Sequence, residues 1–225
     1  MIDTIIVPQG AEYRAVKAGL NKQAKTRPLI IDIPIGAKNI EQTLALKDFW
    51  RAKPQRVLMM GLCGSLSPEY SVGDAVLYQN CCIQPQKCQA TDRTLNLLIA
   101  RKTCFQKTKL PMVSGLTSER IITTVKEKQQ LAKSFTASVV DMESYNYLKL
   151  LQKQKIAVSI LRIVSDDIRH DIPNLERAIN EEGKIKPSIV SAQMIKKPLA
   201  SLIFIRGSLK SLKQLKQITV KIFGC

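Results

Sequence analysis

Short apolar runs alternate with amphipathic segments from Thr4 to about His170, and the alternation predicts the elements. Thr4-Ile5-Ile6-Val7 reads as a short buried strand, broken by Pro8-Gln9-Gly10, and Ala11 to Asn21 reads as a helix. Leu29 to Ile35 is a second strand, with Pro34 placing its end near an edge or a turn. Asn39 is suited to cap a helix running through Trp50. Arg56 to Met60 is a fully apolar strand that stops at a glycine-rich turn, Gly61-Leu62-Cys63-Gly64-Ser65. Val72-Gly73-Asp74 leads into a strand through Tyr78, and Asn80 to Thr91 is irregular. Thr91 or Asp92 caps a helix towards Lys102. Pro111 to Gly115 is a strand, Val125 to Phe135 a helix, Ala137 to Val140 a strand and Met142 to Gln154 a helix. Ile156 to Val164, rich in Ile and Val, is the most strand-like run of the chain. Strands and helices alternating at these lengths predict an α/β fold with a largely parallel or mixed central sheet flanked by helices.

The last quarter differs. From Ser188 the pattern is helical, with Leu199, Leu202, Ile203, Leu209, Leu212 and Leu215 recurring at three- or four-residue steps or their sums and with Lys and Arg between them. The expected organisation is one α/β domain over residues 1–182 and a basic amphipathic helical tail over 183–225, packed on that domain or extending from it. A helix closing the domain with its cationic face in water satisfies this pattern, and so does a surface for anionic lipid or nucleic acid.

Charge sharpens that second reading. The chain carries a formal net charge of +17 over 225 residues, and beyond Glu182 it has no Asp or Glu at all. Such an excess implies an anionic partner: nucleic acid, an anionic membrane surface or a phosphorylated ligand. No segment approaches the roughly 20 apolar residues of a membrane-spanning helix, and Met1 to Val7 lacks the basic start of a secretory signal. The expected location is therefore cytoplasmic, peripheral to a membrane at most. Cys63, Cys81, Cys82, Cys88, Cys104 and Cys225 fit no zinc spacing, and His170 is the only histidine, so no metal site is expected and the cysteines read as reduced, small buried hydrophobes.

In open α/β sheets ligands bind outside the carboxyl ends of the strands. The segments that follow strands here are Gly10-Ala11-Glu12, Gly61 to Gly64, Asp141-Met142-Glu143 and Ser165-Asp166-Asp167. Converging on one crevice, they suit cleavage of an N-ribosidic bond, which breaks through a cation-like ribosyl transition state. One carboxyl group protonates the departing base. Another holds the ribose hydroxyls or activates a nucleophile.

Val140-Asp141-Met142-Glu143-Ser144 and Leu161-Arg162-Ile163-Val164-Ser165-Asp166 resemble the paired signature of the nucleoside phosphorylase superfamily. That superfamily includes purine nucleoside phosphorylases and methylthioadenosine/S-adenosylhomocysteine nucleosidases. Met60 to Leu66 with Val72-Gly73-Asp74, and Ile5-Ile6-Val7 with Glu12, resemble its glycine turn and N-terminal strand. The Asp-Met-Glu-Ser run, Glu127-Lys128, Ile172-Pro173 and the helical tail are most similar to the hopanoid-associated phosphorylases. The resemblance implies a three-layer phosphorylase-like fold. It implies Asp166 as general acid at purine N7, Glu143 on the ribose 2′- and 3′-hydroxyls, Met142 against the sugar, and Glu12 orienting a water or a ribose hydroxyl. It further implies Gly61 and Gly64 as points of close backbone approach to the ligand and Arg162 as electrostatic support.

Two departures are visible. Met59 and Leu62 stand where hexameric phosphorylases place a phosphate-binding Arg and Ser, leaving Arg14 or Arg120 as substitute cations. Leu116 to Arg120 follows Ser114-Gly115 without the aromatic that stacks on adenine in the nucleosidases. The resemblance thus implies phosphorolytic cleavage of a purine nucleoside, adenine foremost and lipid-linked if the hopanoid likeness carries over. No cofactor is implied beyond phosphate as co-substrate. The expected partners are a small-molecule nucleoside, further copies of the chain in a homo-oligomer and, through the basic tail, an anionic membrane. The alternatives are a hydrolytic nucleosidase and a non-catalytic protein that binds nucleosides or nucleic acid. With 5% aromatic residues there is no stacking platform to favour nucleic acid.

Overall fold

The apolar runs become the strands of a single mixed sheet: β1 (Thr4–Pro8), β2 (Leu29–Ile33), β3 (Arg56–Ser65), β4 (Ala75–Gln84), β5 (Lys87–Ala90), β6 (Met112–Thr117), β7 (Val139–Asp141) and β8 (Ala157–Asp166). The computed structural model describes residues 1–20, 27–36, 40–46, 48–84, 86–103, 110–175, 194–195 and 198–224. Strand order is β2-β1-β3-β7-β6-β4-β5, and β8 pairs with both β3 and β4. The strands β3, β7, β6, β4 and β8 therefore close on one another in a ring. β8 lies parallel to β3 from Arg56 onwards, and a register shift between Cys63 and Gly64 sets Asp166 opposite Gly64. A bulge of this kind re-aims a strand end.

Side chains alternate across the sheet, and both faces are covered. Ile5, Val7, Leu58, Met60, Leu161 and Ile163 pack towards α1 (Ala11–Leu20), α3 (Arg93–Thr103) and α6 (Pro198–Phe223). Ile6, Val57, Met59, Val158 and Ile160 pack towards α2 (Ile40–Leu46) and α5 (Ser144–Lys153). Two-sided burial explains why the strands read as continuous apolar runs. The remaining helix, α4 (Val125–Phe135), covers a smaller cluster of Leu66, Leu116, Ile122, Ala137 and Val140. The fold is the expected three-layer α/β arrangement with a C-terminal helix.

Several local expectations need correction. Gly61 to Ser65 is not a turn: β3 runs straight through it, because the glycines leave room for side chains from neighbouring elements rather than bending the chain. Asn80 to Thr91 is not irregular: β4 continues to Gln84 and pairs antiparallel with β5. That hairpin places Cys82 directly opposite Cys88, and the two form a disulfide, so these cysteines are not the reduced thiols expected. Cys63 and Cys81 are buried and free, while Cys104 and Cys225 lie outside the described residues. Helix α2 ends by Leu46 instead of continuing to Trp50, and Asp48 takes a left-handed backbone (φ 56°) of the kind that stops a helix. Its expected cap, Asn39, lies outside the described residues, as does the 182/183 boundary.

The tail helix corrects its own pattern. Of the apolar stripe that suggested it, Leu199, Leu202, Ile203 and Leu209 are exposed, and only Leu215 is fully buried. The buried face is made of Ser201, Gly207, Ser211, Leu215, Ile218, Thr219, Ile222 and Phe223. Small residues let the helix lie directly on β8. A methyl group at Gly207 would come within 2.5 Å of the Ser165 carbonyl, and Ser211 Oγ donates to the Val164 carbonyl at 2.5 Å. The tail's expected start near Ser188 lies outside the described residues. No helix among the described residues is long and apolar enough to cross a membrane.

Candidate active site

The segments that follow β1, β3, β7 and β8 meet around one cavity of about 360 Å³. Its wall includes Glu12, Gly64, Met142, Glu143 and Asp166, joined by Asp141 and Cys63. Burial pushes the Cys63 thiol well up, so it lines the cavity as a neutral group. Apolar surface comes from Ile35, Ile122, Ile172, Leu175 and, on the tail side, Met194, Phe204 and Leu212.

One end of the cavity is built on a buried cation. Arg162, in the middle of β8, is 1% exposed and points to the α5 side of the sheet. Its Nε lies 3.2 Å from Asp141 Oδ2 and its Nη2 lies 3.4 Å from Glu143 Oε2. Nη2 also donates to Ser144 Oγ at 2.9 Å, and that hydroxyl donates in turn to Asp141 Oδ2. Asp141 Oδ1 accepts from Thr117 Oγ1 at 2.9 Å and from the backbone N–H groups of Glu143 and Ser144. Glu143 is anchored at its other oxygen, where Oε1 accepts from the Gly36 N–H at 2.9 Å. Gly36 reaches this position with φ +84°, which favours glycine. Glu12 comes in from the first turn of α1, its Oε2 accepting from the Leu62 N–H at 2.7 Å.

Three carboxylates around one guanidinium leave an excess of negative charge. Burial pushes Glu12 up to about 7; Arg162 opposes the shift and the neighbouring Glu143 adds to it. Burial likewise raises Glu143, with Arg162 opposing. Burial works against the charge on Arg162 itself, but Asp141 and Glu143 outweigh it and hold the guanidinium protonated. Glu12 therefore sits where it can take up a proton near neutral pH, as a general base must.

The other end is built on Asp166, the last residue of β8. Its Oδ1 accepts from Ser165 Oγ at 2.8 Å, and its Oδ2 accepts from Lys128 Nζ at 2.5 Å. The lysine is fully buried behind the carboxylate and also donates to the Asp167 carbonyl at 2.6 Å.

Glu12, Met142, Glu143, Gly64 and Asp166 are thus gathered on one wall, while Arg162 stands behind it. Gly61 does not line the cavity. A methyl group there would overlap Arg162 Nη1 and come within 2.6 Å of Glu12 Oε2; at Gly64 it would come within 2.8 Å of Asp166 Oδ2. Gly61 yields space to Arg162 and Glu12, and Gly64 to Asp166. Asp141, Ser144, Lys128 and Gly36 had been given no role on the sequence. Asp141 and Ser144 stand in the Asp-Met-Glu-Ser run and Lys128 in Glu127-Lys128, so they were visible there without an assigned part; nothing in the local pattern marks Gly36. Arg120 sits at the rim, ion-paired to Glu127, and is the only Lys or Arg on the cavity wall among the described residues. Arg14 is not part of that wall.

The sequence profile described as the phosphorylase superfamily matches residues 6–185. No curated protein matches the sequence. Among solved structures, the chain is similar to a 5′-methylthioadenosine/S-adenosylhomocysteine nucleosidase of Helicobacter pylori, complexed with a pyrrolidine compound (17% identity over 96% of this chain and 94% of that one, TM-score 0.69). It is similar to futalosine hydrolase of the same species (16%, 97% and 95%, TM-score 0.69). It is also similar to an S-adenosylhomocysteine nucleosidase of Streptococcus pyogenes (13%, 98% and 95%, TM-score 0.73).

Proposed function

The chain belongs to the phosphorylase superfamily, and from that premise we propose that it cleaves the N-ribosidic bond of a purine nucleoside, with water as the attacking group. The observation that carries this is the gathering of Glu12, Glu143 and Asp166 on one cavity wall from three separate parts of the chain. Glu143, held by Gly36 and Arg162, takes the ribose hydroxyls, and Met142 packs against the sugar. Glu12 draws a proton from the attacking water, and Asp166 protonates N7 of the departing base. The nucleosidases and hydrolase of like fold are named for cleavage of this class.

Water is favoured over phosphate by charge. Glu12, Asp141, Glu143 and Asp166 line the cavity, and the one cation on its wall among the described residues is already paired with Glu127. A phosphate anion entering this field meets repulsion without a free counter-charge among the described residues. The test is release of free base from a panel of purine nucleosides, with and without phosphate, by the wild type and by Asp166→Asn. Phosphate-independent release, lost in the variant, is expected. Release that requires phosphate would make the chain a phosphorylase, and no release by the wild type would overturn the activity.

A second feature bears on the substrate. Beside the apolar wall that α6 lends the cavity, the outer face of α6 exposes Leu199, Leu202, Ile203 and Leu209, followed by Arg206, Lys210 and Lys213. We assign this face to an anionic membrane surface and the apolar wall to an apolar substituent of the nucleoside. An apolar band flanked by cations is the interfacial pattern, and two copies meeting through this face would bring like charges together. Sedimentation should show binding to anionic but not neutral liposomes. No binding to either, with a dimer in sedimentation velocity, would give the face to a second copy.

A further inference from the structure

Helix α4 presents an unusual burial pattern. It has Val125, Leu131 and Ala132 for docking, yet its one fully buried residue is Lys128. Taking an ammonium out of water is costly, and replacing both members of a buried ion pair by well-packed apolar side chains is often neutral or stabilising. The ion pair as a whole thus gives the fold little that an apolar pair would not, although removing Lys128 alone leaves Asp166 without its partner. What distinguishes lysine here is where its charge is delivered: Nζ lies 2.5 Å from Asp166 Oδ2, while Lys128 itself does not line the cavity. The Asp167 carbonyl takes a second ammonium hydrogen at 2.6 Å and fixes its direction. Ser165 Oγ holds the other carboxylate oxygen at 2.8 Å.

We propose that Lys128 is a positioning residue for protonation of the leaving base, holding Asp166 Oδ2 and replacing the proton that Asp166 hands on. This rests on the N-ribosidic reading above. As the C1′–N9 bond breaks, its electron pair moves into the purine, and Asp166, the ion-paired carboxylate at the start, relays to N7 the proton it receives from Lys128. Lys128 gives a proton to Asp166 Oδ2 and becomes a neutral amine. The attacking water forms the new C1′–O bond and leaves its proton on Glu12, and solvent exchanges the protons of Glu12 and Lys128 after the products leave. Nucleoside and water become ribose and base, with nothing further consumed.

A leaving group that needs no proton separates this role from a structural one. Lys128→Met and Lys128→Arg are compared with wild type on the best purine nucleoside of the panel and on 4-nitrophenyl β-D-riboside. For Lys128→Met, kcat on the purine nucleoside should fall about 100-fold, while its KM and the rate of nitrophenolate release change less than about threefold. Lys128→Arg, which keeps a cation beside Asp166, should recover part of the purine rate. Equal losses on both substrates would reduce Lys128 to a structural ion pair, and no loss on the purine would remove it from the mechanism. Unchanged nitrophenolate release shows that the variant is folded. Wild-type protein inert on both substrates, or purine release unaffected by Asp166→Asn, would instead sink the reading beneath the proposal.

Discussion

Two buried cations hold the two ends of the cavity, and they are held in opposite ways. Arg162 comes from the middle of a central strand and serves Asp141, Glu143 and Ser144, with Glu12 also in its field. Lys128 comes from a peripheral helix and serves one carboxylate and one carbonyl. Arg162 and Asp141 are both 1% exposed, whereas the Asp166 side chain keeps 11% exposure at the cavity edge. The first centre is part of the core, and the second is a hinge of charge at its margin. Their removal should therefore have different costs. Arg162→Met leaves Asp141 and Glu143 buried without their counter-charge and should cost about 3–5 kcal/mol. Lys128→Met leaves Asp166 open to water from the cavity and should cost about 1–2 kcal/mol. Urea unfolding midpoints compare the two directly, and equal losses would erase the distinction.

The excess of acid around Arg162 gives the next contrast. Glu12 holds its proton up to about pH 7 in the folded chain, because of burial and the nearby Glu143, against an ordinary value of 4.5. Between those two pH values the folded state binds a proton that the unfolded state has released. Stability attributable to Glu12 therefore falls as pH rises through this window, levels off above it, and is fully present below it. Glu12→Gln removes the dependence. Relative to wild type the variant should gain on the order of 3 kcal/mol between pH 4.5 and pH 8, read as a difference in Tm that grows with pH. Catalysis runs the other way: a base must be ionised, so wild-type turnover should rise through about pH 7. A Tm difference that stays flat with pH would show that Glu12 is not held protonated.

Much of the first centre could be read from the sequence, and little of the second. Glu143 and Arg162 lie in local motifs, Asp-Met-Glu-Ser and Leu-Arg-Ile-Val-Ser-Asp, whose spacing is preserved because each motif is a single strand end. Lys128 sits on a helix with Lys126, Glu127 and Gln129 as neighbours, and a charge in that company reads as solvated. Only the packing of α4 against the end of β8 turns it inward. The same limit explains Gly61 and Gly64. Two glycines in five residues signal a turn locally, but here they answer to Arg162, Glu12 and Asp166, which arrive from distant segments. The Cys82–Cys88 bond depends on hairpin register. The first half of the tail shows a misleading pattern: Leu199, Leu202, Ile203 and Leu209 face out while Ser201, Gly207 and Ser211 face in, because closeness to β8 matters more than apolar volume there, and large apolar residues are buried only from Leu215 on.

The smallest expected effect is also the sharpest probe of how loosely Asp166 is held. Ser165 Oγ is the only side-chain donor besides Lys128 that reaches this carboxylate among the described residues; it also lies 3.1 Å from the Cys63 carbonyl. Alanine fits the same space at the end of β8, and α6 touches the residue through its carbonyl rather than its side chain. Ser165→Ala should therefore cost about 1 kcal/mol in stability, one hydrogen bond to a charged acceptor. If that bond also orients Asp166 towards the base, a similar energy is lost from the transition state, about a fivefold fall in kcat for purine release. Asp141, by contrast, has three donors on Oδ1 and two partners on Oδ2, so no single hydroxyl fixes its direction. A Ser165→Ala protein that is less stable but unchanged in kcat would mean that Lys128 alone aims Asp166, leaving the Asp166 end of the cavity dependent on one contact where the Arg162 end has many.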